Sequence, residues 1–110
     1  MARFVKGDIV VVPFPFTDLS MAIKRPALVI SELENEDLIL CMITSKQTRD
    51  RYSISVVEND LEQGKLKRKS NVRPNRLFTA NRQIVLHRVG RLKFDKLNEV
   101  IEKIVEILKR

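Results

Sequence analysis

Two short apolar runs, Ala27–Ile30 and Leu38–Ile43, flank the acidic segment Glu32–Asp37, and this arrangement constrains the fold most. Runs this brief suit strands, and a polar spacer between them suits a hairpin turn. In an antiparallel hairpin the start of the first strand lies beside the end of the second. Arg25 leads into the first run and Thr44 closes the second, so the two are expected within side-chain reach on one edge of a sheet. A guanidinium beside a hydroxyl, held on rigid strands, suits a phosphodiester.

Most of the remaining chain also reads as β. Ile9–Val12 is β-branched and follows the turn pair Gly7-Asp8. Pro13 and Pro15 are expected to break that ladder and leave Pro13–Ala22 as an irregular loop. Pro26 suits a strand that begins at a sheet edge. Ser53–Val57 alternates polar and apolar as a further strand, whereas Asn59–Gly64 reads as one helical turn closed by glycine. Val72–Thr79 is expected extended, and Gln83–Val89 is another short apolar segment with a basic residue interleaved.

The period changes near the C-terminus. Phe94, Leu97, Ile101, Ile104, Val105 and Leu108 recur at helical spacing with Glu and Lys between them. This stripe is expected to pack on the sheet, with Asp95 near the helix start and Lys109-Arg110 at its end suiting the dipole. Short strands closed by one helix make a mostly β chain, expected as a small, strongly bent barrel forming one domain over residues 1–110.

Charge narrows the partners. There are 21 Lys and Arg against 14 Asp and Glu, a net charge of +7, and no acid lies between Lys65 and Lys93. Such a belt points to a polyanion or an acidic protein. The lone Cys41, inside an apolar run, is expected as a small core residue in a reducing compartment. No apolar stretch approaches the ~20 residues needed to cross a bilayer, and no signal peptide is visible, so a cytoplasmic location is expected. One His and one Cys cannot build a metal cage, and no Ser-His-Asp constellation is visible. His87, on the apolar stretch Ile84–Val89, is expected to be structural.

Several segments together carry a resemblance. Lys6-Gly7-Asp8-Ile9-Val10, Pro13-Phe14-Pro15-Phe16-Thr17-Asp18, Lys24-Arg25-Pro26-Ala27-Leu28-Val29-Ile30 and Ile43-Thr44-Ser45-Lys46 are similar to successive signatures of the MazF/PemK family. Ser70-Asn71-Val72-Arg73-Pro74, Thr79, Gly90-Arg91-Leu92 and the closing helix continue it along nearly the whole chain. Each motif alone is weak, but the ordered set is specific.

The resemblance implies an SH3-like barrel with a C-terminal helix, a homodimer, and the toxin of a type II toxin–antitoxin module. It implies metal-independent, sequence-specific cleavage of single-stranded RNA, with the substrate's 2′-hydroxyl attacking the adjacent phosphorus. The products would carry a 2′,3′-cyclic phosphate and a 5′-hydroxyl, and no cofactor is called for. It assigns catalysis to Arg25 and Thr44. Ser45 is expected to assist Thr44, with Lys24, Lys46, Gln47, Phe16, Thr17, Arg73 and Arg76 on the RNA. The implied partner is an antitoxin whose acidic, disordered C-terminal segment lies along the basic groove.

Some positions depart from the pattern. Asp18–Ile23 lacks the glycines common in the loop before the arginine. Arg76 stands where relatives often carry glutamine, and Phe78 where an arginine precedes the threonine. Lys93 replaces the Ser or Thr cap of the last helix, a change worth about 1 kcal/mol. Two other functions fit the same barrel: a gyrase-directed toxin like CcdB, and a non-catalytic barrel that binds RNA or antitoxin. The Arg25–Thr44 pair and the absence of a C-terminal Trp argue against the first.

Overall fold

A computed structural model describes residues 3–14 and 23–110. The expected residues Phe16 and Thr17, and the loop that carries them, lie outside the described part. Seven strands form one curled antiparallel sheet: β1 (Asp8–Phe14), β2 (Ile23–Glu32), β3 (Asp37–Thr44), β4 (Ile54–Val56), β5 (Leu61–Gly64), β6 (Ser70–Asn81) and β7 (His87–Leu92). Their order is β4-β6-β3-β2-β1-β7-β5, and helix α1 (Phe94–Leu108) packs against β6.

The strands owe their apolar runs to burial on both faces. Ile9, Leu28, Cys41 and Ile43 point into a cluster completed by Val72, Leu92 and the helix residues Leu97, Val100 and Ile104. Their neighbours Val10, Val12, Ala27, Val29, Leu38 and Leu40 enter a second cluster, covered by Phe4, Phe78, Ile84 and Val85. The curl has a local cause. Register shifts interrupt the β1–β7, β2–β3, β3–β6 and β5–β7 ladders, and each such irregularity bends its strand.

The hairpin forms as expected, with a 3-10 turn at Glu34–Glu36 joining β2 to β3. Several other boundaries move. Pro13 does not end β1: the strand continues through Phe14, pairing with Lys24 and Ile23. The β7 ladder stops at Val11, so Pro13 has a neighbour on one side only, where a missing N–H is tolerated. Pro26 likewise lies inside β2, opposite Val11, because the strand starts at Ile23. Pro74 sits where β3 pairing jumps from Leu77 to Val72 and demands no regular ladder bond.

Asn59–Gly64 is not one helical turn. A 3-10 turn covers Glu58–Asp60, and Leu61–Gly64 is a strand on β7. Gly64, at φ +88°, pairs with Gly90 so closely that a Cβ would lie 2.2 Å from the Val89 carbonyl oxygen. Glycine is needed for that approach, not for a helix stop.

The helical stripe is narrower than expected. Leu97, Val100 and Ile104 are buried, but Phe94 and Leu108 are 75% and 72% exposed, and Val105 is exposed too. At 100° per residue Phe94 and Val105 fall on the side of Ile101 away from Val100, beyond what one sheet can cover, whereas Leu108 falls between Leu97 and Ile101 and is exposed because it is the last residue of the helix. No helix among the described residues is long and apolar enough to cross a membrane.

Candidate functional site

Arg25 and Thr44 are brought together by register. Ala27 pairs with Met42 across β2 and β3, so two residues further on the sheet places Arg25 opposite Thr44. Arg25 also continues the face of Ala27 and Val29, and Thr44 that of Leu40 and Met42, because alternate residues share a face. The pair does not lie on the lateral edge of the sheet, as the hairpin alone suggests. Both strands are interior, and the two residues stand at the strand ends, in mid-sheet.

A cleft of about 280 Å3 opens there. Lys24, Arg25 and Pro26 line one side, Ile43, Thr44 and Ser45 another, and Leu66, Lys67 and Arg68 of the β5–β6 connection close it with Ser70, the first residue of β6. Four of these residues are cations and none is an acid. Ion pairs among the described residues form at Arg3, Arg73, Arg88, Arg91, Lys96 and Lys103, and at none of those four. Arg25 is half-buried, and its Nε, like those of Arg73 and Arg82, is shut off from solvent without a hydrogen-bond partner among the described residues.

Thr44 is oriented by the turn that follows it. The Lys46 backbone N–H donates to Thr44 Oγ1 at 3.1 Å, which leaves the hydroxyl proton for another acceptor. Lys46 and Gln47 are exposed on this turn, and Asn71 Nδ2 secures it by donating to the Lys46 carbonyl at 3.1 Å.

The basic belt is acid-free only along the chain. Arg73 Nη2 donates to Asp50 at 2.8 Å, and Arg91 Nε donates to the fully buried Asp8 at 2.8 Å, with Arg88 3.8 Å from the same carboxylate. The Arg73 bond holds the Asp50 carboxyl below its ordinary range, helped by the Tyr52 and Ser53 N–H groups. The Asp8 carboxylate in turn raises Arg91 above the usual guanidinium range. Arg73 is therefore committed to a structural pair, whereas Arg76 is exposed and makes no ion pair among the described residues. Cys41 is buried, its Sγ donating to the Arg73 carbonyl at 2.8 Å, and burial pushes its thiol up to about 12.

Other candidates fall elsewhere. Phe14 packs on Phe78, with ring centroids 5.9 Å apart. His87 is exposed and lines a recess with Arg3, Phe4 and Arg88, not the Arg25–Thr44 cleft. The sequence assigns no site role to Lys67, Arg68 or Ser70, although Ser70 opens one of the family-like segments. The signal available was the dense run Lys65-Leu66-Lys67-Arg68-Lys69, but nothing in it says which cleft it closes.

This architecture is shared with solved structures. An endoribonuclease in complex with its cognate antitoxin, from a mycobacterial species, superposes with a TM-score of 0.75 at 12% identity, covering 99% of this chain and 96% of its own. MazF (Form-I) from Deinococcus radiodurans gives 0.74 at 19% identity over the whole of both chains. The Mycobacterium tuberculosis toxin MazF-mt6 gives 0.69 at 17% identity, covering 93% of this chain and 96% of that one. A search of curated proteins finds no match. A family model described as the PemK-like, MazF-like toxin of type II toxin–antitoxin systems matches residues 5–108. With its curled sheet, closing helix and ordered motifs, the chain belongs to the PemK-like, MazF-like toxins of type II toxin–antitoxin systems.

Proposed function

We propose that the protein is an endoribonuclease whose Arg25–Thr44 cleft holds the scissile phosphodiester of single-stranded RNA. The observation that carries this reading is the half-buried Arg25, which makes no ion pair among the described residues, beside Thr44 in a cleft lined by four cations and no acid. The 2′-hydroxyl of the substrate attacks the adjacent phosphorus as the bond to the 5′ oxygen breaks. One proton leaves the 2′ oxygen and one arrives at the 5′ oxygen, which gives a 2′,3′-cyclic phosphate and a 5′-hydroxyl end.

Because the substrate supplies the nucleophile, the protein's task is to hold the reacting atoms in line and to stabilise charge on the phosphorane. Arg25 takes the non-bridging oxygens through its terminal nitrogens. Thr44, its oxygen already engaged by the Lys46 N–H, donates its proton to the same group. Lys24, Lys67 and Arg68 neutralise the flanking phosphates, and Ser45 lines the same cleft. Nothing in this chemistry calls for a metal ion.

The partner that restrains it is an antitoxin with an acidic, disordered segment, whose carboxylates occupy the places of RNA phosphates. Related structures described as complexes with a cognate antitoxin and as MazE–MazF support an antitoxin partner. A homodimer with RNA crossing both subunits completes the reading. Incubating the pure protein with a long single-stranded RNA in EDTA tests it: fragments ending in 2′,3′-cyclic phosphate are expected, and intact RNA would refute it.

A further inference from the structure

Beside the cleft lies a second hollow of about 520 Å3, lined by Ser45, Gln47, Thr48, Ser53, Lys69 and Asn71. Ser45 belongs to both spaces, and Asn71 pairs directly across the sheet with Thr44. The hollow is therefore an immediate neighbour of the position proposed for the cleaved bond. Its chemistry is different. The cleft presents four cations, whereas the hollow presents one, Lys69, among hydroxyls and amides. Cations hold phosphates without reading sequence, but an amide offers a donor and an acceptor together and can read a base edge.

The walls are set before any ligand arrives. Asn71 Nδ2 is spent on the Lys46 carbonyl, and the Thr48 and Ser53 hydroxyls bond each other at 2.5 Å. Asp50 accepts from the Tyr52 and Ser53 N–H groups at 3.0 and 3.3 Å while it holds Arg73. The segment between β3 and β4 is thus tied at three points. Gln47 stands on it as an exposed amide that makes no hydrogen bond among the described residues. A free amide on a pinned support is what selective recognition requires.

Resting on the ribonuclease reading above, we infer that this hollow receives a nucleobase next to the cleaved phosphodiester and that Gln47 reads its edge. Asn71 Oδ1 supplies a second acceptor, and Lys69 meets the neighbouring phosphate. Single-stranded RNA is read in this manner, with an unstacked base turned out and bonded along its edge. The volume lies within the ~300–1,000 Å3 of small-ligand pockets.

The test compares the full chain with Gln47→Met, which keeps side-chain length but removes the amide, and with Gln47→Glu. Each is given a pool of single-stranded RNA with a randomised segment, and every cut site is sequenced. The native protein is expected to prefer one base at a position adjoining the cut. Gln47→Met should lower that preference by roughly 10–100-fold while preferences elsewhere persist. Gln47→Glu should shift it toward bases that offer a donor. Unchanged preference at every position in both variants would overturn the inference. If the native protein cuts no RNA, the ribonuclease reading fails instead, and binding of the same pool decides the hollow alone. A base preference lost in Gln47→Met would then support the hollow, and one retained would overturn it.

Discussion

Arg73 reaches across 23 residues of sequence to Asp50, donating from Nη2 at 2.8 Å, and so fixes the segment that carries Lys46 and Gln47. Breaking the pair should loosen that segment and lower stability together. Asp50→Asn is expected to cost about 1–2 kcal/mol, the scale of a partly buried charge-assisted bond. Denaturant unfolding measures it. The pH dependence follows from the direction of the shift. The folded Asp50 carboxyl titrates below its ordinary value of 3.8, so the unfolded chain binds the extra proton. The pair's contribution is full above that value and is lost as pH falls through the folded value. Asp50→Asn should accordingly flatten the loss of stability below about pH 4.

Arg25→Ala and Thr44→Ala should each slow RNA cleavage by about 10²–10³-fold, the usual loss for one transition-state donor. Thr44→Ser should retain much of the rate, because the hydroxyl persists and can still accept from the Lys46 N–H. Single-turnover cleavage of an RNA containing the preferred site, with circular dichroism as a check on folding, measures both. Wild-type rates in folded alanine variants would remove the pair from catalysis.

The last helix begins without a side-chain cap. Lys93 has the extended backbone of an N-cap residue, φ −63° and ψ 152°, but its side chain bonds no helix N–H. Lys93→Ser should add about 1 kcal/mol by satisfying one of those donors. The Lys93 N–H bond to the Asp60 carbonyl is a backbone contact and survives the change. For a chain this size the gain corresponds to a rise of roughly 4 °C or more in Tm.

The exposed side of that helix bears on association. Phe94, Val105 and Leu108 leave apolar surface uncovered in one copy of the chain. The homodimer is expected to persist at micromolar concentration, and light scattering that reports the monomer mass would contradict it.

What could be read from sequence follows the range of the interactions involved. The β2–β3 hairpin is local, and its acidic turn, its two apolar runs and the approach of Arg25 to Thr44 are legible from spacing. The closing helix is legible for the same reason, yet which of its apolar residues face the sheet depends on where the sheet ends. Val100 is buried and Phe94 exposed, and the repeat alone does not fix which part of the apolar arc turns to the sheet. Pro13 and Gly64 misled because their neighbours decide their roles. The ends of the β7 ladder and the backbone of Gly90 are set by pairings far along the chain. The belt cations divide likewise, since Asp8 lies 83 residues from Arg91. No local pattern reveals that Arg73 and Arg91 are paired while Lys67 and Arg68 make no ion pair among the described residues.

That division decides where charge reversal is informative. Reversing Arg73 would strand Asp50 and disturb the segment it anchors, so any lost binding would be ambiguous. Lys67 and Arg68 line the cleft with Arg25 and make no ion pair among the described residues, so their reversal alters the cleft without stranding a carboxylate there. Lys67→Glu with Arg68→Glu should leave unfolding nearly unchanged, within about 0.5 kcal/mol, as for exposed substitutions elsewhere. The double variant should weaken RNA and antitoxin together if both use this surface. For the antitoxin, the loss should appear mainly as slower association, with a reduced dependence on salt, because steering is what the cations supply. Apolar contacts elsewhere along the segment would keep dissociation slow. Exposed Arg76, outside the cleft lining, provides the comparison: Arg76→Glu should impair antitoxin binding less than the double reversal does. Stopped-flow association at several salt concentrations separates these outcomes. A double variant that loses RNA cleavage yet binds antitoxin with native affinity and salt slope would place the two ligands on different surfaces.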